Sequence, residues 1–203
     1  MPDTKQLIND LTLEEKISLL SGFDAWQTNK VDRLGIPNIK MSDGPNGVRG
    51  DGSSGKSSAC FPCAISIGSS WNLNLINTLG KELAAEAKAK DVDVLLGPTI
   101  NIHRHPLGGR HFECFSEDPF LTGKIAIEYV RGVQSKNIAA CLKHFVGNDT
   151  EFERYTISSN IEEKTLREIY LLPFEMAIKE ANAKVVMSAY NKLNNIYCSS
   201  HEN

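Results

Sequence analysis

The sequence predicts an α/β fold with a parallel sheet, specifically an incomplete (β/α)8 TIM-type barrel with about five of its eight strands. Short apolar runs alternate with longer segments in which apolar residues recur at helical spacing. Polar residues follow several of these runs, at the strand ends where parallel α/β folds place their sites. At 203 residues the chain is short for a complete barrel of roughly 250 residues.

The elements follow one another in a regular order. Thr12 and Glu15 have capping-box spacing and predict a short helix that ends near Gly22. Five apolar runs are predicted to be buried parallel strands: IPNIKMSDG (36–44), FPCAISIGSSW (61–71), DVDVLLGPTIN (91–101), IAACLKHFVGN (138–148) and AKVVMSAYNKLN (183–194). Three segments between them are predicted to be helices: 73–90, 118–136 and 161–181, the last with a kink at Pro173.

A barrel is favoured over a doubly wound sheet. Polar residues end four of the five predicted strands: Asp43, Asn101 with Arg104, Lys143 with His144, and Tyr190 with Asn191. A barrel spreads its site over many strand ends, whereas a doubly wound sheet concentrates its site at one switch point. The first turn, SDGPNGVRG, also lacks the G-x-G-x-x-G spacing of a dinucleotide-binding fold.

Composition excludes several classes of partner. The chain has 22 basic and 25 acidic residues and no basic stripe, so no nucleic-acid partner is expected. It has no apolar run of about 20 residues, so no membrane partner is expected. The N-terminus has no signal-peptide pattern, and a cytoplasmic location is therefore predicted.

The five cysteines are expected to be free thiols, since their number is odd and their spacing forms no disulfide framework. Cys60 and Cys63 have the C-x-x-C spacing of a redox pair. Such pairs acquire a low thiol pKa at a helix N-terminus. The residues that follow Cys63 are predicted to form a strand, so redox chemistry is disfavoured.

The stretch HRHPLGGRHFECFSEDP (103–119) allows three interpretations. His103, His105, His111 and Glu113 could bind a metal, although no specific zinc spacing is present. The two glycines could cradle phosphate, although no lysine-serine pair follows them. Arg110 could instead make paired hydrogen bonds to vicinal hydroxyl groups, or pair with a neighbouring carboxylate.

Three further residues are candidates for ligand binding. Lys143 and His144 lie side by side at a predicted strand end, where both side chains can reach the barrel mouth. The alternative for His144 is a packed core histidine. Asp43 ends the first predicted barrel strand, and its alternative role is a helix or turn cap.

Five motifs in order carry a family resemblance: SDGPNGVRG, LLGPTINIHRHPLGGRHFECFSEDP, CLKHFVGND, LREIYLLPFEMAI and VVMSAYNKLNN. Together they resemble the N-terminal barrel domain of glycoside hydrolase family 3, and most closely its fungal and yeast β-glucosidases. The resemblance covers residues 11–203. It implies that residues 1–203 are the N-terminal part of a catalytic barrel domain.

The resemblance implies substrate-binding roles for Asp43, Arg110, Lys143, His144, Met187 and Tyr190. The aspartate would bind the glucosyl hydroxyls farthest from the scissile bond, and the arginine, lysine and histidine would bind hydroxyls of the same sugar. The methionine and tyrosine would line the pocket near the reacting carbon. The implied substrate is a β-glucoside or a cellobiose-like molecule, and no cofactor or metal is expected.

The resemblance places no catalytic residue within this sequence. The family nucleophile is an aspartate in a serine-aspartate-tryptophan type motif on the strand after VVMSAYN, and the general acid is a glutamate in a later domain. A branch of N-acetylglucosaminidases uses a loop histidine as the acid, but the matching loop here, VGNDTEFERYTISS, has none. Its carboxylates Asp149, Glu151 and Glu153 are expected to be solvated loop charges, and the less favoured alternative is that one of them substitutes for the missing catalytic group.

We therefore expect a fragment of a longer β-glucosidase, poorly stable and inactive alone because an incomplete barrel leaves an open sheet edge. One alternative is a truncated pseudoenzyme that binds sugar without catalysis. Another is a zinc-dependent hydrolase that uses the three histidines. The oligomeric state of the full-length enzyme is open, with a homo-oligomer as one option.

Overall fold

The computed structural model describes residues 3–50 and 57–202, so the two ends of the predicted domain and residues 51–56 lie outside the described residues. The strands are β1 (Met41–Asp43), β2 (Val94–Leu96), β3 (Ala139–Phe145), β4 (Ser158–Ser159), β5 (Val185–Ser188), β6 (Lys192–Leu193) and β7 (Ile196–Tyr197). The α-helices are α1 (Thr4–Asp10), α2 (Leu13–Ser21), α3 (Ala64–Ser69), α4 (Leu73–Ala89), α5 (Pro119–Gln134), α6 (Glu163–Thr165) and α7 (Leu172–Ala181).

The main sheet has four parallel strands in the order β1-β2-β3-β5, which is also their order along the chain. Helices α3 and α4, then α5, then α6 and α7 connect successive strands. A doubly wound sheet reverses its order at a switch point, whereas a barrel does not. The predicted α/β class and the partial barrel are therefore confirmed.

One predicted strand is wrong. Within 61–71 the chain forms helix α3, so the sheet has four of the five predicted strands. Ala64, Ile67 and Gly68 are buried at helical spacing, and a Cβ on Gly68 would lie 2.4 Å from the backbone oxygen of Phe115. A short apolar run is compatible with either state, and here tight packing selects the helix.

The C-x-x-C motif is followed by a helix and not by the predicted strand. Cys63 is the N-cap of α3, so the strand that was expected to disfavour redox chemistry is absent. All five cysteines are free thiols, as expected.

The predicted helices are confirmed. Helix α2 has the Thr12–Glu15 capping box and ends at Gly22. Helices α4 and α5 pack closely at two glycines, since a Cβ on Gly132 would lie 2.3 Å from the backbone oxygen of Asn77 and 2.9 Å from Cα of Gly80. No helix in residues 3–50 and 57–202 is long and apolar enough to cross a lipid bilayer.

The region around Pro173 departs from a regular helix. A π-helical segment, Leu166–Tyr170, connects α6 to α7, and Pro173 lies in the first turn of α7. Proline is tolerated there because the first-turn N–H groups have no partner within the helix. The predicted helix 161–181 is therefore interrupted, but by the π-helical segment Leu166–Tyr170 that precedes Pro173.

The core lies between the sheet and helices α4, α5 and α7. Its fully buried members include Ile76, Leu83, Leu95, Ile125, Val130, Leu142 and Phe174. Strand β3 is buried along most of its length, whereas β5 alternates half-buried and exposed residues. Strand β5 therefore lies at an edge of the sheet.

Candidate functional site

The ends of β1 and β3 are joined by an ion pair. The ammonium group of Lys143 donates a hydrogen bond to Asp43 Oδ1 at 3.0 Å. The Lys143 side chain is only 4% exposed, whereas that of Asp43 is 30% exposed. Burial alone would raise the pKa of Asp43. The Lys143 charge and the hydrogen bonds to the carboxylate lower it by more, so the pKa lies below its ordinary value. Asp43 is therefore a carboxylate at neutral pH.

Arg110 lies in the loop that follows β2 and is held by carboxylates. Its Nε donates to Glu113, which is buried and accepts a second hydrogen bond from Thr99 Oγ1 at 3.0 Å. Arg110 Nη1 lies 3.5 Å from His144 Nε2. Arg110 therefore pairs with a neighbouring carboxylate, Glu113, as one of the two sequence interpretations proposed. This pair fixes the guanidinium beside His144.

His144 is anchored at the end of β3 by Asn101. The backbone N–H of His144 donates to Asn101 Oδ1 at 2.8 Å, and Asn101 Nδ2 donates to the His144 carbonyl at 2.9 Å. Burial and the nearby Arg110 and Lys143 cations lower the pKa of His144 to about 3. The imidazole is therefore neutral at physiological pH and can donate from one nitrogen while it accepts at the other.

A cleft of about 540 Å³ opens at this edge of the sheet. Asp43, Arg49, Arg110 and Glu113 line it together with the loop that follows β1. Arg49 lies 3.6 Å from Asp43 Oδ2. The sequence interpretation missed this arginine, although it lies in the same motif, six residues after Asp43. Such charged groups make the strongest hydrogen bonds to a ligand's hydroxyl groups.

Two described parts of the loop after β1, at Val48 and at Ala59, are held by Glu86 of α4 and by Lys90, the C-cap residue of that helix. Glu86 accepts hydrogen bonds from the backbone N–H groups of Val48 at 3.0 Å and Ala59 at 2.7 Å. Lys90 lies 3.6 Å from Glu86 and donates to the Val48 carbonyl and to Ser58 Oγ. We name Glu86 and Lys90 the loop clamp. It fixes the wall of the cleft that carries Arg49.

The structure brings four of the six predicted residues together and places the other two on β5 and beyond it. Met187 is half-buried within β5. Tyr190 follows β5, is 56% exposed, and packs against Tyr155 with ring centroids 4.9 Å apart. Tyr190 is therefore linked to the cleft through the loop that follows β3.

The three histidines of the 103–119 stretch bind backbone atoms. His103 Nε2 lies 2.9 Å from the His111 carbonyl and 3.0 Å from the Cys114 carbonyl, and His111 Nε2 lies 2.6 Å from the His105 carbonyl. In the described ranges, no three His, Cys, Asp or Glu side chains are grouped to hold a metal ion. These contacts support a scaffolding role for the stretch around Arg110.

The expectation of solvated carboxylates in the loop after β3 is wrong for two of three. Asp149 is 6% exposed, and burial raises its pKa to about 7. Glu151 is half-buried and pairs with Arg154 at 2.9 Å. Only Glu153 is exposed. Packing of this loop against the 103–110 loop removes the first two from water.

The fold and site define part of an α/β barrel with a charged cleft at the carboxyl ends of its parallel strands. The family model "Glycosyl hydrolase family 3 N terminal domain" matches residues 5–203. The chain belongs to this family, and the match extends the resemblance to residues before Leu11.

Relatives of the chain are named β-glucosidases. A β-glucosidase of Rhizobium radiobacter is 55% identical over 197 residues, which are 96% of this chain and 24% of that protein. The structure of a Kluyveromyces marxianus β-glucosidase in complex with glucose matches with a TM-score of 0.95 and 50% identity, over 98% of this chain and 24% of that one. β-Glucosidase 3B of Thermotoga neapolitana in complex with α-D-glucose has a TM-score of 0.91 and 41% identity, over 98% of this chain and 30% of that one. The chain thus spans about a quarter of the length of the curated relatives it matches.

Proposed function

We propose that these residues form the sugar-binding part of a β-glucosidase, a retaining hydrolase of terminal non-reducing β-D-glucosyl residues. The observation that carries the proposal is that Asp43, at the end of β1, and Arg110, from the loop after β2, line one cleft, while Lys143 of β3 donates a hydrogen bond to Asp43. Family membership and the two glucose-bound relatives support it. The expected substrates are β-glucosides and cellobiose-like molecules.

Each of the four clustered groups has a distinct part in this proposal. The Asp43 carboxylate accepts hydrogen bonds from two sugar hydroxyls, while Lys143 and Arg110 donate to hydroxyls of the same ring. The neutral His144 can donate or accept. Because these groups are partly or fully buried, a sugar without the matching hydroxyl would leave them unpaired, and the site would discriminate against it.

Met187 and Tyr190 are proposed to line the pocket near the reacting carbon, as the family resemblance implies. A retaining glycosidase needs two carboxyl groups about 5 Å apart across that carbon. Near the cleft, Asp43, Glu113 and Glu151 are each paired with a lysine or arginine. We infer that the nucleophile and the acid come from other parts of a longer enzyme, and that residues 1–203 alone have no turnover.

The test is hydrolysis of an aryl β-glucoside by the protein encoded in the full reading frame that contains these residues. Asp43→Ala removes the carboxylate, and two lost charge-assisted hydrogen bonds of about 1.5–3 kcal/mol each predict a fall in kcat/KM of about 100-fold or more. Asp32→Ala is the matched control, since Asp32 is 76% exposed in a surface pair with Lys30. Glucose binding without turnover would favour the non-catalytic sugar-binding alternative, and neither binding nor turnover would refute the proposal.

A cytoplasmic location and the oligomeric state stay predictions. Fractionation of cells that express the full reading frame tests the location. Light scattering of the purified protein distinguishes a monomer from a homo-oligomer.

A further inference from the structure

The loop after β3, residues 147–157, lies between two parts of the proposed site. On one side, Glu151 Oε1 is 3.8 Å from Arg110 Nη1. On the other side, Glu151 Oε2 accepts a hydrogen bond from Arg154 Nη1 at 2.9 Å. One carboxylate thus contacts two guanidinium groups, one from the cleft and one from its own loop.

Arg154 carries the connection on to Tyr190. Its guanidinium carbon lies 4.9 Å from the centre of the Tyr155 ring and 5.5 Å from that of the Tyr190 ring. It also donates a hydrogen bond to the Tyr155 hydroxyl at 2.8 Å. The cation is therefore held in place by hydrogen bonds to Glu151 and Tyr155 and by contact with two aromatic rings.

The backbone near Arg110 is shaped to admit Glu151. Gly109 has φ +83°, a conformation that favours glycine, and a Cβ there would lie 3.1 Å from both Cβ and Cγ of Glu151. The Glu151 stem therefore packs directly against the loop that carries Arg110. Arg110 is held between Glu113 on one side and Glu151 on the other.

We propose that Glu151 and Arg154 are positioning residues that hold Arg110 and Tyr190 at a fixed separation, so that both contact the same sugar ring. This inference rests on the proposed β-glucosidase function. Neither residue needs to touch the substrate. Glu151 acts through Arg110, which binds sugar hydroxyls, and Arg154 acts through Tyr190, which lies near the reacting carbon.

The two residues predict different kinetic effects in the full-length enzyme. Glu151→Gln keeps the shape but removes the charge beside Arg110, so KM for an aryl β-glucoside should rise more than kcat falls. Arg154→Met removes the cation over Tyr190, so kcat should fall by about 10- to 100-fold, the range expected for a small misplacement at a reacting centre. Arg154→Lys keeps a charge that can pair with Glu151, and should recover part of the loss.

Arg167→Met is the matched control, because Arg167 is 71% exposed and forms a surface ion pair with Glu163. It should keep both kinetic constants within about twofold of the wild type, since surface substitutions have small effects. Thermal unfolding of every variant separates positioning from stability. Wild-type kinetic constants in both Glu151→Gln and Arg154→Met would overturn the proposal, as would a lower Tm without a change in KM or kcat. A wild-type enzyme that neither binds glucose nor hydrolyses the glucoside would refute the proposed function itself.

Discussion

Replacing Glu86 by alanine is predicted to loosen the loop that forms one wall of the cleft. The substitution removes the acceptor for the N–H groups of Val48 and Ala59, and it removes the carboxylate 3.6 Å from Lys90. The Lys90 side chain is only 4% exposed, so the substitution would leave its ammonium group buried without a carboxylate partner. Both held parts of the loop, at Val48 and at Ala59, would be affected at once.

The expected size follows from these contacts. Removing one partner of a buried ion pair costs about 3–5 kcal/mol. Each hydrogen bond to a charged group contributes about 1.5–3 kcal/mol, but the same carboxylate makes all of these contacts, so the values overlap. We expect the free energy of local loop opening to fall by about 3–5 kcal/mol. Each 1.4 kcal/mol or so changes the equilibrium constant for opening about tenfold. The amide hydrogens of Val48 and Ala59 should therefore exchange at least about 100-fold faster.

Hydrogen–deuterium exchange of the full-length protein measures this opening at Val48 and Ala59. Glu82→Ala is the matched control, since Glu82 lies on the same helix and is exposed. Faster exchange at the two loop amides should come with a higher KM for a β-glucoside, because Arg49 and Asp43 lie on that wall. Unchanged exchange at both amides in Glu86→Ala would refute the loop clamp.

Three further predictions concern titration and packing. His144 has a pKa near 3 because of burial and nearby cations, so His144→Gln should raise KM but leave the shape of the activity profile between pH 4.5 and 8 unchanged, measured with initial rates. Burial raises the Asp149 pKa from 3.8 to about 7, so the folded state binds a proton that the unfolded state releases between about pH 4 and 7. Stability should fall across that window by about 4 kcal/mol as pH rises, and Asp149→Asn should abolish this slope in urea unfolding at pH 5 and pH 8. Gly132→Ala places a Cβ 2.3 Å from the Asn77 carbonyl and should destabilise the protein by about 1–3 kcal/mol, measured by the same method against Lys136→Ala.

Much of the fold could be predicted because its long elements have strong patterns. Helices α4 and α5 have 17 and 16 residues, long enough for the helical period to be unmistakable. The strand prediction for residues 61–71 was wrong because α3 has only six residues, and a run of that length has no distinct period of apolar residues. What selects its helix is the contact of Gly68 with Phe115, which lies 47 positions further along the sequence.

The site was predictable where it depends on strand ends. The C-terminal ends of β1 and β3 carry Asp43, Lys143 and His144. Parallel strands bring such ends to one edge of the sheet. The partners of these groups were not predictable, because they come from distant loops and helices. Glu86 is far from Val48 in sequence, and Glu151 is far from Arg110, so only the folded chain shows that they touch.

The most direct test of the proposed site is the structure of the full-length protein with glucose bound. We predict that sugar hydroxyls lie within hydrogen-bond distance of the Asp43 carboxylate, the Lys143 ammonium, the Arg110 guanidinium and the His144 ring. Glucose bound elsewhere, or bound in this cleft without contact to Asp43 and Lys143, would contradict it.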